Sequence, residues 1–173
     1  MFFNDISKFS NTTDYLPIFT AALITDSFVI LRVVLGQIKS KSLTEWYQKY
    51  GLAAVLADVL SIMIGIILAR FVYSNFFTKF SILPFLIVVV IIQWIHDLSF
   101  AQLFNAIPRG KSDIIDTFKD YAKEFGIAIL FADSAMMIAT TIIASILSNY
   151  NSNINIIVLI IFAYILPYLL YST

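Results

Sequence analysis

The sequence predicts an all-α polytopic membrane bundle of five transmembrane helices, and three observations carry that prediction. The first is composition. The chain is 60 % apolar and only 13 % charged, with a mean hydropathy of +0.89. Soluble domains have roughly 45–50 % apolar and about 25 % charged residues, and a chain of 173 residues cannot hide that excess in one small core. The second is length: five apolar runs reach the roughly 20 residues that a spanning helix needs. The third is a pattern inside those runs. "YGLAAVLADVLSIMIGIILA" (50–69) and "FGIAILFADSAMMIATTIIA" (125–144) have the same shape, each with one acid in an apolar helix.

The expected spans are 15–36, 50–72, 82–104, 125–147 and 154–171. The first carries Asp26 and Arg32; the last has no ionisable group apart from its tyrosines, and Pro167 is placed to kink it. The start "MFFNDISKFSNTTDYLP" has no basic stretch followed by an apolar run, so it does not read as a cleavable signal. Asn11-Thr12-Thr13 fits a glycosylation triplet, a pattern too common to carry weight.

Two connections read as amphipathic helices lying at the membrane surface. In "SLTEWYQKY", Ser42 and Glu45 suggest a capping box, and Leu43, Trp46, Tyr47 and Tyr50 share a face. In "SDIIDTFKDYAKEF", Ser112 is the expected N-cap, Ile114, Ile115, Phe118, Tyr121, Ala122 and Phe125 form the apolar stripe, and Asp113 and Asp116 suit the positive end of the helix dipole. Membrane anchoring is the plain reading of both, and partner docking the functional one. Trp46, Tyr47, Tyr73, Phe76, Phe77 and Tyr171 read as interfacial aromatic belts.

Five spans put the termini on opposite faces. Lys8, Arg70 and Lys79 fall on the N-terminal face; Arg32, Lys39, Lys41, Lys49, Arg109, Lys111, Lys119 and Lys123 fall on the other. The positive-inside rule makes the second face cytoplasmic, with the N-terminus outside and the C-terminus inside.

The spans also repeat. Setting Gly51 on Gly126 aligns Ala53 with Ala128, Ala57 with Ala132, Asp58 with Asp133 and Ala69 with Ala144. "ITDSF" (24–28) resembles "IHDLSF" (95–100) and pairs Asp26 with Asp97. The expected domain is thus a single transmembrane unit over 1–173: a tandem duplicated hairpin with repeats at about 15–72 and 82–147, each span–interfacial helix–span, plus an extra span at 154–171. Both copies point the same way, which implies a pseudo-twofold axis along the membrane normal.

The alignment places Asp26, Asp58, Asp97 and Asp133 each roughly 12–15 Å below one face, at 1.5 Å per residue. A charge near the bilayer centre costs at least about 2.5–3.5 kcal/mol, so four such acids must face inward. Gly51, Ala54, Asp58, Ser61 and Gly65 run down one side of the second span, and Gly126, Asp133, Thr140 and Ala144 down one side of the fourth. Such small-residue faces allow close approach, which leads to the expectation that Asp58 and Asp133 meet near the axis, with Asp26 and Asp97 flanking. Gln93 shares a face with Asp97, and His96, Ser61, Ser134 and Thr140 complete the polar candidates for an ion or proton site.

Three readings of the layer stay open: neutral acids acting as interhelical packing contacts, a proton or cation pathway of channel or transporter type, and a catalytic centre in which His96 and the acids hold a metal or activate water. Other chemistries have little support. "PRGKSD" (108–113) lacks the first glycine of a phosphate-binding loop and no strand precedes it. With one His and no Cys there is no zinc set. The acids do not follow the Tyr-Asp and Gly-x-Gly-Asp pattern of intramembrane aspartyl proteases, and no span core holds the Lys a retinal protein requires.

The run "WIHDLSFAQLFNAIPRGKSDIIDTFKDYAKEFG…ADSAMM", within 93–137, resembles small multi-spanning membrane proteins encoded by large DNA viruses of protists. The resemblance implies residence in a virion inner membrane or a membrane of the infected host, and it brings no activity to particular residues. The expected function is that of a virus-encoded membrane protein with a buried aspartate layer that handles protons or cations; the alternative is a structural component of a viral membrane. The expected partners are the lipid bilayer, a proton or cation, and a second copy of the chain or other membrane or capsid proteins. Neither nucleic acid, a cofactor nor enzymatic activity is expected.

Overall fold

Apolar runs of this length can satisfy their backbone groups in lipid only by coiling on themselves. In the computed structural model, which describes residues 3–172, they do so. Seven α-helices are present among the described residues, and no strand. They are α1 (Tyr15–Val34), α2 (Lys41–Tyr50), α3 (Leu52–Phe76), α4 (Ile82–Ala106), α5 (Asp113–Phe125), α6 (Ala128–Leu147) and α7 (Ser152–Leu170). A single 3₁₀ turn, Thr12–Asp14, leads into α1. The five long helices, α1, α3, α4, α6 and α7, are long and apolar enough to cross a membrane, so the chain is a multi-pass membrane protein.

The order long–short–long occurs twice, as α1–α2–α3 and α4–α5–α6. Local details match as well. Ser40 and Ser112 cap the two short helices, accepting from the N–H of Leu43 (3.0 Å) and Ile115 (3.4 Å). The cap of α2 is therefore Ser40 and not the expected Ser42, because the helix already begins at Lys41. Each short helix ends at a glycine with nearly the same backbone, Gly51 at φ 51°, ψ −125° and Gly126 at φ 56°, ψ −132°. A side chain strains that conformation, and it is what turns the chain sharply from the short helix into the next span.

The four spans of the two halves form a ring. α1 packs on α3 and α6, and α4 packs on the same two, leaving α3 and α6 on a diagonal that touches only locally. Gly65 of α3 marks that approach: a Cβ there would lie 2.8 Å from Met137 Cε of α6. α7 lies outside the ring against α1, and its helix continues through Pro167 to Leu170. Leu52, Leu56, Leu60, Ile64 and Leu68 form an exposed stripe at four-residue steps on α3, the lipid-facing counterpart of the packed face.

The residues before α1 fold across one end of the ring. Arg70 near the end of α3 is wholly buried there and donates to the carbonyls of Lys8 (2.5 Å) and Asn11 (2.6 Å) and to Asp14 Oδ2 (3.1 Å). Asn4 pairs with Ser145 and Ser148 at the end of α6. The Asn11 side chain, read as a possible glycan acceptor, instead holds Thr13 and Asp14. The last residues sit at the other end, where Tyr171 packs on Gly51.

The two glycine hinges give a direct test. Gly126→Ala meets open space, so its cost is backbone strain alone, about 1–3 kcal/mol. At Gly51 the nearest atom is the Tyr171 hydroxyl, 2.9 Å from where a Cβ would stand; it is the far end of an exposed side chain that can swing aside, so backbone strain dominates there too. In denaturation from detergent micelles both variants should lose stability by similar amounts.

Candidate functional site

The acids are positioned by helices that bring polar atoms into an apolar bundle, where each such group needs a partner. Asp26 on α1 is completely buried. Its Oδ1 accepts from the Tyr47 hydroxyl at 2.9 Å, and its Oδ2 has no partner. Asp58 on α3 is half-buried and its Oδ2 accepts from the Trp46 indole N–H at 2.9 Å. The Tyr47 hydroxyl also faces the Asp58 carboxyl. Neighbouring residues of α2 thus reach two acids on two different spans.

Trp46 and Tyr47 are each only 5 % exposed, and Tyr73 1 %. They are not belt residues as their type suggests. Gly51 folds α2 back against the ring, so the face that was expected to meet lipid meets the acids instead. Phe76, Phe77 and Tyr171 are exposed, as belt residues would be. Burial pushes the Tyr47 phenol well above its ordinary 10.0, and the facing carboxyls of Asp26 and Asp58 push it further the same way. The phenol therefore stays protonated and able to donate.

The second half is arranged differently. Asp97 Oδ1 on α4 accepts from Gln93 Nε2 at 2.6 Å and lies 3.2 Å from His96 Nδ1; its Oδ2 is buried without a partner. His96 Nε2 lies 3.5 Å from Ser61 Oγ on α3. An imidazole with its proton on Nδ1 satisfies both contacts, donating to Asp97 and accepting from Ser61. Asp133 on α6 is half-buried, within electrostatic reach of Asp97, Asp58 and His96. The position equivalent to Trp46 is Tyr121, whose phenol is raised chiefly by burial and then by Asp133. The position equivalent to Tyr47 is Ala122, so Asp97 receives no donor from α5.

Asp58 acts electrostatically on Asp26, and Asp133 lies within reach of Asp97 and then of Asp58, across the diagonal of the ring. The ring puts α3 and α6 on a diagonal, and their closest approach is spent at Gly65 and Met137. Two other candidates serve packing. Thr140 Oγ1 donates to Thr25 Oγ1 (2.9 Å), joining α6 to α1, and Ser134 Oγ accepts from the Trp94 indole (2.8 Å) while donating to Leu130 O. Among the described residues no three His, Asp or Glu side chains converge as metal ligands.

A cavity of about 160 Å³ opens between α1, α2 and α7 at the end where the chain finishes. Ile30, Val34, Leu170 and Tyr47 line it together with the polar Thr44, Gln48 and Ser172. That is room for several waters, since one needs about 10–15 Å³ of such space. Tyr47 is the link between this cavity and Asp26.

The short helices clamp one another in antiparallel fashion. Glu124 at the end of α5 accepts from the N–H groups of Lys41 (3.1 Å) and Ser42 (3.0 Å) at the start of α2. Lys49 at the end of α2 pairs with Asp113 at the start of α5 (2.9 Å). On α5's other side, Arg109 pairs with Asp120 (2.7 Å), and Lys119 donates to the Ile107 carbonyl. No protein-family model, curated protein or solved structure matches this chain.

The clamp titrates. The N–H of Ser42, then its hydroxyl, hold the Glu124 carboxyl below its ordinary 4.5. A depressed folded-state value means the stabilisation is complete above the unfolded value and is lost as pH falls through the folded one. The parent should therefore melt higher than Glu124→Ala at pH 7, and that difference should shrink as the pH is lowered below 4.5. Amide exchange at Ser42 should be faster in the variant.

Proposed function

We propose that this chain is a virus-encoded integral membrane protein whose buried aspartate layer handles protons or small cations, in the manner of a channel or transporter. One observation carries the reading. A wholly buried carboxyl, Asp26, accepts from the hydroxyl of Tyr47, a residue that also lines a partly polar cavity at one end of the bundle. A carboxyl that only held helices together would need no route to water. The layer has four acids and His96 as its single weak base, so charge balance requires bound protons or a cation. Protons are favoured, because no convergent ligand set for a metal is present among the described residues.

The resemblance of 93–137 is what supports residence in a virion inner membrane or a membrane of the infected host. The matched caps and hinges support descent of the two halves from one duplicated hairpin with a pseudo-twofold axis along the membrane normal. The basic residues support a cytoplasmic position for α2, α5 and the C-terminus, and an outside position for the N-terminus.

The alternative is a structural membrane component in which the acids only join helices. The Thr25–Thr140 and Trp94–Ser134 bonds favour it, being contacts between spans with no route to water. Model systems give such interhelical bonds about 0.6 kcal/mol each.

Two measurements test these readings. The chain has no cysteine, so Ser10→Cys and Ser172→Cys report topology directly. An impermeant thiol reagent should reach the first from outside and the second only from the cytoplasm; labelling of both from one side would sink the five-span orientation. In liposomes with an imposed pH gradient, the parent should carry proton flux, and Asp26→Asn or Asp58→Asn should cut it at least about tenfold while folding normally. Parent flux no greater than that of empty liposomes would leave the structural reading.

A further inference from the structure

The donors and acceptors around Asp26 and Asp58 do not balance if both acids are ionised. Two carboxylates present four oxygens that only accept. Facing them are one indole N–H, from Trp46, and one phenol O–H, from Tyr47. The Tyr47 oxygen stands against both carboxyls, yet it has one proton to give. If it donates to Asp26, the lone pairs of Tyr47 and Asp58 face each other; if it turns to Asp58, the Asp26 contact becomes the repulsive one. One added proton resolves the conflict, because a carboxylic acid on either residue donates to the phenol oxygen while the phenol donates to the other. The unpartnered Oδ2 of the fully buried Asp26 marks where the count falls short. Each carboxyl has one donor, Trp46 for Asp58 and Tyr47 for Asp26, and the fully buried Asp26 is the one with an unpartnered oxygen, so the proton is assigned to Asp26.

We propose that Asp26, Tyr47 and Asp58 form a binding site for a single proton shared by two carboxyls, loaded from the α1–α2–α7 cavity through the Tyr47 hydroxyl. This rests on the proton-handling reading above and narrows it to the first half of the chain. The transfer balances within the site. A hydronium in the cavity gives its proton to the Tyr47 oxygen as the phenol O–H bond breaks toward Asp26 Oδ1; water and the phenol are regenerated, and Asp26 becomes the acid. Ala122 stands where a second Tyr47 would be, so the other half has no equivalent relay.

The nearest other base is His96 of α4, whose Nε2 lies 3.5 Å from Ser61, one turn along α3 from Asp58. α3 presents Asp58 and α2 presents Tyr47 to Asp26, while α6 meets α1 there through Thr140. α7, which packs on α1, has no acid or base apart from the exposed Tyr164 and Tyr168. Asp133 and Tyr121 sense the charge of Asp58 from further off.

Infrared difference spectroscopy of the full chain in liposomes tests the site independently of transport. At neutral pH the parent minus the Asp26→Asn/Asp58→Asn double variant should show the carbonyl stretch of one protonated carboxyl, sensitive to deuterium exchange. After a drop in pH from an alkaline start, that band should fill at least tenfold more slowly in Tyr47→Phe, a variant that keeps the ring and removes the relay. No band, or the intensity of two, would overturn the shared proton; filling at the parent rate in Tyr47→Phe would overturn the relay. The band without proton flux would uphold the site and reject the transport reading. Flux without the band would do the reverse.

Discussion

The cost of a carboxyl in a low-dielectric bundle governs the rest of this structure. Four spans each carry one acid, and none can face lipid without losing several kcal/mol. The ring of α1, α3, α4 and α6 turns them inward, but inward is not enough: polar oxygens in a dry interior also need donors. The spans themselves supply few, because apolar helices have spent their N–H groups on their own backbone. For Asp26 and Asp58 the donors come from outside the ring. α2 supplies an indole and a phenol, and to deliver them it must lie against the ends of α1 and α3. The positive-φ glycine at residue 51 lets it do so. Carboxyl, donor helix and hinge thus form one chain of dependence.

The two halves meet the same demand in different ways. In the first, α2 closes over Asp26 and Asp58, and Asp26 is left with no exposure at all. In the second, Asp97 finds its donors on its own helix, Gln93 one turn away and His96 beside it, and retains 13 % side-chain exposure. α5 buries none of its residues, whereas α2 buries Ser42, Trp46 and Tyr47. The same backbone plan therefore leaves one acid, Asp26, fully sealed and the other three half-buried. Substitution of Tyr47 by Ala122 at the matching position is the chemical difference between them.

Much of the plan was legible in the sequence because it rests on one-dimensional signals. Span lengths follow from apolar run length, and five runs gave five long helices. The equivalence of Gly51 and Gly126 was visible in the aligned runs, and their backbones agree to within 7°. The order of the spans around the ring was not legible: small-residue faces on α3 and α6 suggested that those helices adjoin, and they touch at Gly65, but which spans are full neighbours is decided only in three dimensions. Trp46 and Tyr47 were misread for a related reason. An aromatic with a polar tip suits the membrane interface and the inside of a polar cluster equally well, and the difference lies in where the hinge points the helix. Arg70 counted as a surface charge, although its partner Asp14 lies 56 residues away in sequence.

The buried Arg70–Asp14 pair closes the opposite end of the bundle. A guanidinium with no exposure holds two backbone carbonyls and a carboxylate, but leaves its Nε and Nη1 without partners. Burying such a pair is no bargain in stability compared with apolar packing. Its geometric consequence is definite. The strand of residues before α1 is tied by Arg70 to the end of α3 and by Asn4 to the end of α6, and Ile6 is driven into the core. That strap covers the ends of two of the four ring helices. At the other end, α2 and α5 hold each other through one exposed ion pair and a carboxylate on two N–H groups, contacts that water screens and competes with. A bundle sealed by a buried cation at one end and latched by solvated charges at the other will open first where the latch is weaker. That is the end where Tyr47 stands between the cavity and Asp26.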